Sequence, residues 1–269
     1  MKIALIDSGL GLLPAAAALR QLRPDADLVL SCDPDGMPWG PRAPREVSEH
    51  VLACVRAAAA HRPDAVVIAC NTASVHALAA LRDEFEPGLP VVGTVPAIKP
   101  AAASGGPVAI WATPATTGSP YQRRLISDFA ATVPVTEVAC PGLADAVDRA
   151  DPDAVADAVA VAAARTPVGV RAVVLGCTHY ELVAEQIRAA VQRPGGPPVV
   201  LYGSAEAVAG QALRRLREPG ARGAGSVSVL LSGRTGVLPR RALAYPEGRV
   251  LVSGVVGAGA VGPAGDRAC

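Results

Sequence analysis

The chain has 269 residues, 25 Lys and Arg against 24 Asp and Glu, and 51% apolar residues, for a formal net charge of +1. That balance gives no basic footprint for a nucleic acid and no charged face for a membrane surface, and it supplies enough apolar residue for more than one core. No run of about 18 apolar residues is available to span a bilayer, and "MKIALIDSG" reaches Asp7 too soon for a signal-peptide core, so a cytoplasmic protein with reduced thiols is expected.

In chain order, short β-rich runs alternate with Ala/Leu/Arg-rich stretches of helical period. Strands are expected at 2–6, 27–31, 65–69, 91–93, 108–111, 135–138, 172–175, 199–201 and 227–231. Helices are expected at 13–22, 44–60, 74–84, 119–131, 153–164, 180–191 and 204–217. This alternation argues for βα units and parallel sheets, and the Val/Ile/Ala content fits strands buried on both faces. The order repeats itself. A strand ending in Asp7-Ser8 opens one half, "GPVAIWATPAT" opens another, and each half later holds a strand that ends in a cysteine. The expected fold is α/β, with two similar lobes of mainly parallel sheet flanked by helices. A pseudo-two-fold relates the lobes, and the active site lies in the cleft between them. The first lobe is expected to be discontinuous, 1–96 and 209–269, with a flexible Gly/Ala-rich tail from about 253; the second is 97–208.

Cofactor motifs fail on their context. Gly257, Gly259 and Gly262 have dinucleotide-fingerprint spacing but no room for the helix and strand that must follow, and "GLGLLP" has Pro14 where a third glycine belongs. No P-loop occurs, and the four histidines lack metal spacing. The only lysines, Lys2 and Lys99, begin the first strand and fall in the inter-lobe crossing, poor places for a Schiff base. Neither a cofactor nor a metal is expected.

Six cysteines are present without zinc-like or redox-like spacing. Two stand out. "RPDAVVIACNTAS" and "RAVVLGCTHY" each end an apolar strand in a thiol, Cys70 and Cys177, at the edge where ligands bind in open α/β sheets. The helices after them aim free N–H groups at that spot, which favours both carboxylate binding and thiolate. Taken singly, a strand-end cysteine is more often a small buried hydrophobe, and that reading is kept for Cys32, Cys54, Cys140 and Cys269. Two matched thiols facing one cleft suit a different task, inverting a carbon with an acidic hydrogen by removing a proton on one face and delivering one on the other. Asn71, the only asparagine, with Thr72 and Thr178, would place amides on the substrate carboxylate. Asp7, placed at the same strand edge by the pattern, and His179, two residues after Cys177, are the groups expected to shuttle or balance the proton. On their own, Asp7 and Ser8 also read as turn caps, and "TPATTGS" as a turn.

Together "IDSGLGLL", "MPWGPRAP", "ACNTAS", "GTVPAIKPA", "ATPATTGSPYQ" and "VLGCTHYEL" resemble the glutamate racemases of the cofactor-independent aspartate/glutamate racemase superfamily, in order from residue 3 to about 210. The resemblance implies interconversion of L- and D-glutamate for peptidoglycan, a small amino-acid ligand (glutamate or a related acid) and a homodimer. It implies that Cys70, assisted by Asp7, acts on the D-enantiomer and Cys177, assisted by His179, on the L-enantiomer, with Asp148 supporting the histidine. Ser8, Pro38, Trp39, Gly40, Asn71, Thr72, Thr116 and Thr178 would contact substrate. Four departures bear on substrate choice and rate: Leu12 for a glycine, Trp39 for a tyrosine, Gly36 for an arginine, and Asp148, one methylene shorter than the usual glutamate and so short enough to break its contact with His179. Two alternatives stay open. One is racemisation of aspartate or another substrate, or isomerisation of a dicarboxylate; the other is a degenerate protein that binds without turnover.

Overall fold

A computed structural model describes residues 1–216 and 222–253; the Gly/Ala-rich tail beyond, with Gly257, Gly259, Gly262 and Cys269, lies outside the described residues. The chain starts with β1 (Lys2–Asp7), which passes through a 3-10 turn into α1 (Leu13–Leu22). Then come β2 (Asp27–Cys32), α2 (Pro44–Ala59), β3 (Ala65–Ile68), α3 (Asn71–Phe85), β4 (Val91–Gly93) and α4 (Ile98–Ala103). Next are β5 (Val108–Ala112), α5 (Pro120–Phe129), β6 (Val135–Ala139), α6 (Leu143–Arg149), α7 (Pro152–Arg165) and β7 (Ala172–Leu175). A 3-10 turn (Thr178–Val183) leads into α8 (Ala184–Val191) and β8 (Val200–Tyr202). The described chain ends with α9 (Ala205–Arg215), β9 (Val227–Leu231), β10 (Arg234–Gly236), a 3-10 turn (Arg240–Ala244) and α10 (Pro246–Ser253).

Two sheets result. One has the order β10-β9-β2-β1-β3-β4, the other β6-β5-β7-β8. All pairings are parallel except β10 with β9. The four strands β2-β1-β3-β4 and β6-β5-β7-β8 have the same order and direction, so the duplication read in the sequence exists as topology. β9 extends the first sheet beyond β2, while α9 and α10 pack on α1.

Strands β1, β3, β5 and β7 are buried along almost their whole length, as expected for parallel strands covered by helices on both faces. One apolar cluster joins the lobes: Leu10, Leu12 and Leu13 pack in the same core as Val147, Leu175 and Tyr180. Leu12 is therefore a seam residue with no exposed surface, and the bulk it adds goes into the core rather than the cleft. Smaller cores lie on the other face of each sheet.

Two readings are corrected. The helix expected at 74–84 begins at Asn71, because Cys70 itself is the extended residue before it. The helix expected at 180–191 is a 3-10 turn up to Val183 and α-helical only from Ala184. There the half-buried Glu181 carboxylate leaves the helix surface to accept from the Ser204 N–H at 2.8 Å and its hydroxyl at 2.9 Å. Short α4, α6, α10 and β10 were not anticipated; each has ten residues or fewer, too few to build a periodic pattern.

Candidate active site

Strand order reverses between β1 and β3 in one sheet and between β5 and β7 in the other, the point where open α/β sheets bind ligands. The registers match step for step. Ile6 pairs with Ile68, and Trp111 with Leu175. One residue on, Ala69 N–H donates to Ile6 O at 2.8 Å and Gly176 N–H to Trp111 O at 2.7 Å. The next residue is Cys70 in one lobe and Cys177 in the other. Their backbones agree, with φ/ψ of −140°/126° and −134°/134°. Both thiols line one cavity of about 490 Å3, large enough for a small ligand.

Ser8, Pro38, Trp39, Gly40, Asn71 and Thr72 reach this cleft from the first lobe. Thr116, Asp148, Thr178 and His179 reach it from the second, and Thr116 shares a 3.2 Å hydroxyl contact with Thr113. Asn71 closes the floor: its Nδ2 donates to Gly176 O across the lobes at 2.9 Å, and its buried Oδ1 has no protein partner. Asp7 sits behind the lining with no exposed surface. Its Oδ1 accepts from Gly9 N–H at 2.7 Å and lies 3.9 Å from His179 Nε2. His179 is buried at the centre. Its Nδ1 is 3.8 Å from Cys177 Sγ, and its Nε2 is 3.5 Å from Asp148 Oδ1. The shorter Asp148 side chain thus still meets the histidine, and the contact is not broken. Gly9 leaves it room, since a Cβ there would run into the Asp148 carboxyl.

The electrostatics set burial against pairing. Burial resists a charge on His179, but Asp7, Asp148 and Cys177 outweigh it and hold its pKa well above the ordinary imidazole range. Burial raises Asp7, offset in part by His179 and the Gly9 amide. Cys70 is pushed well up by burial and by Asp7, while the N–H groups of Ala73 and Thr72 at the start of α3 pull it back. Asp148 is lowered in spite of its burial, by His179, Leu10 N–H and Arg241.

Of the departures read in the sequence, Gly36 needs correction as a direct substrate determinant, whereas Trp39 does line the cleft. Trp39 is 1% exposed, and its indole N–H is turned to Asp33, donating to Oδ2 at 3.1 Å. Asp33 also pairs with His50 at 2.9 Å and accepts from Ser232 at 2.8 Å. Gly36 lies outside the cleft, where any Cβ would meet Asp33 and His50. Asp33→Ala strands the buried indole N–H, so a loss of about 1–3 kcal/mol is expected as a lower urea midpoint at unchanged slope.

Sequence reading missed Thr113, Cys140 and Asp145, which also line the cleft. It missed Arg241, which contacts Asp148 from 93 residues away along the chain. Cys140 had no signal to offer, and burial pushes its thiol to about 12.

Two matched α/β lobes, each with a thiol at the same strand end, thus face one cleft beside a buried Asp–His cluster. The chain belongs to the Asp/Glu/Hydantoin racemase family, whose sequence profile matches residues 14–218. It is 37% identical over 223 residues to the glutamate racemase of Roseiflexus sp. (strain RS-1), covering 81% of this chain and 80% of that one. It is 36% identical over 214 residues to that of Pectobacterium carotovorum subsp. carotovorum (strain PC1), covering 76% and 73%. Among solved structures it superposes on Escherichia coli glutamate racemase in complex with L-glutamate and the activator UDP-MurNAc-ala, with a TM-score of 0.77 and 29% identity. That match covers 90% of this chain and 91% of the other.

Proposed function

We propose that the protein racemises glutamate without a cofactor, with Cys70 and Cys177 as opposed bases, and supplies D-glutamate for peptidoglycan in the cytoplasm. The observation that carries this reading is the placement of the two thiols at equivalent strand ends on one cleft. The relatives' activity and the L-glutamate bound to the E. coli protein support the choice of substrate.

In the proposed cycle, Cys177 as thiolate takes the α-hydrogen of L-glutamate, and the Cys70 thiol gives its proton to the opposite face. D-Glutamate reacts by the reverse. Each transfer is worth about a hundred- to ten-thousand-fold, and the rest comes from donors on the carboxylate as negative charge spreads into it. The amides of Asn71, Thr72 and Thr178 begin their helices beside the thiols and fit that work. One turnover leaves the proton on the wrong sulfur for the next. Asp7 beside Cys70 and His179 beside Cys177, 3.9 Å from one another, form the line along which it returns.

A second reading, the same chemistry on another substrate, is favoured by one observation. Asp145 lines the cleft, and none of the lining residues among those described is Lys or Arg to meet a second carboxylate. Incubation with L-glutamate in deuterated water separates the readings. The expected product is D-glutamate carrying deuterium at Cα; exchange with aspartate or another amino acid but not glutamate gives the second. Ligand binding with no exchange on any amino acid would sink both.

A further inference from the structure

The C-terminal segment reaches the site through one side chain. Arg241 stands in the 3-10 turn after β10, beyond residue 218, where the family match ends. The segment is anchored beside α6: Tyr245 Oη donates to Val147 O at 2.6 Å, and Ala242 and Leu251 are buried. From there Arg241 Nη2 donates to Asp148 Oδ2 at 3.2 Å. The other carboxyl oxygen, Oδ1, accepts from Leu10 N–H at 2.7 Å and faces His179 Nε2 at 3.5 Å. Both oxygens of a nearly buried carboxylate are thus fixed from opposite sides. Arg241 itself keeps 39% of its side chain exposed.

We propose that Arg241 is a positioning residue for the Cys177 half of the site: it holds the Asp148 carboxylate turned toward His179, and through His179 it sets the proton chemistry of Cys177. The consequence for turnover rests on the racemase reading; the effect on Asp148 does not. A second structural fact points the same way. Without Arg241, Oδ2 has no other hydrogen-bond donor among the described residues, and the carboxyl is held against turning about its Cβ–Cγ bond through Oδ1 alone, by Leu10 N–H and His179. The charged and titratable groups that face Asp148 are His179 from the turn after β7, Asp7 from β1, Cys32 from β2, and Arg241 with Tyr245 from the C-terminal segment. Asp145 and Arg149 lie on its own helix. Among these, His179 and Arg241 are the cations that favour ionised Asp148, and Arg241 is the one the cleft does not contain.

The test uses Arg241→Gln and Arg241→Lys in the full chain, with Arg234→Gln as a control in the same segment, where the arginine only meets Asp35 at the surface. Carboxyl 13C NMR titration of Asp148, assigned by loss of its signal in Asp148→Asn, reads the first half of the proposal. Arg241→Gln is expected to raise the Asp148 midpoint by about one unit, at the low end for an ion pair because Arg241 is part exposed. Arg241→Lys keeps the charge and is expected to restore most of it.

Turnover reads the second half. The acid limb of kcat/KM needs ionised Asp148, so it moves to higher pH in Arg241→Gln and back in Arg241→Lys. Because slowing falls on the Cys177 step, the kinetic isotope effect should rise for α-deuterated L-glutamate and fall for the D-enantiomer, although kcat/KM drops equally in both directions. An unmoved Asp148 midpoint overturns the proposal, as does a turnover loss in Arg241→Gln with an unshifted acid limb and symmetric isotope effects. A moved midpoint in a protein whose wild type exchanges no amino acid supports the positioning of Asp148 and instead removes the racemase reading.

Discussion

Cys70→Ala and Cys177→Ala, made separately, are each expected to lower glutamate racemisation by about a hundred- to ten-thousand-fold, because each deletes one of two required proton transfers. The two losses should be alike in racemisation and opposite in exchange. In Cys70→Ala, the remaining Cys177 still reaches the α-hydrogen of L-glutamate and returns a solvent proton to the same face. Deuterium should then enter L-glutamate without inversion, while D-glutamate stays unlabelled. Cys177→Ala should reverse the pattern. Both thiols are small and sit at strand ends, so thermal unfolding should change little. Cys140→Ala is the control: that thiol also lines the cleft, but burial raises it to about 12 and it donates to Val138 O at 3.4 Å. Its loss should leave turnover within a few-fold. Near-normal racemisation in either of the first two variants would show that one base suffices and would end the two-thiol mechanism.

How much of this was legible in the residues depended on the range of the interaction concerned. The strands at 91–93, 172–175 and 227–231 have the bounds expected of them, since a run of Val and Ile between turn residues reports its own conformation. The thiols were legible because the duplication set them in like contexts, and the matched registers after Ile68 and Leu175 give that likeness a geometry. The fate of Trp39 was not legible. Its indole is fixed by Asp33, which is held in turn by Ser232, 199 residues further on, and no local pattern announces such a contact. Arg241 was hidden for the same reason. The turn from Thr178 to Val183 misled because its helical spacing is real, yet Glu181 is drawn off to Ser204.

The duplication also exposes where the lobes differ, and the difference is chemical. The register that makes Cys70 and Cys177 equivalent makes Asp7 equivalent to Ala112, the last residue of β5. The second lobe therefore has no carboxylate at its strand end, and the group beside its thiol is instead His179, two residues further along its own turn at 3.8 Å. One lobe offers a carboxylate and the other an imidazole, and the two meet at 3.9 Å. One cation between two buried carboxylates leaves a net charge of about −1 rather than the −2 of the carboxylates alone, which lowers the cost of burying both.

Removing the cation should unbalance that cluster. His179→Asn leaves Asp7 and Asp148, 0% and 2% exposed, without the charge between them. Racemisation is expected to fall by about a hundredfold or more, since Cys177 loses its proton partner. Stability should fall by about 3–5 kcal/mol at neutral pH, the usual cost of leaving a buried charge unpaired. The pH dependence fixes the cause. Arg241 still pairs with Asp148, so Asp7 is the carboxyl left exposed to the repulsion, and burial already raises it. An acid whose folded pKa lies above its unfolded value binds more protons when folded. Stability in the variant should therefore decline as pH rises from about 4, the unfolded value, through the raised folded value. The deficit against wild type should shrink on acidification and be largest at neutral pH. Adding Asp7→Asn to His179→Asn should recover much of the lost stability and none of the activity, a non-additivity that urea midpoints at two pH values can read. A deficit that is the same at pH 4 and pH 7, and is not relieved by Asp7→Asn, would mean that His179 supports the site by packing and that the charge pairing contributes nothing.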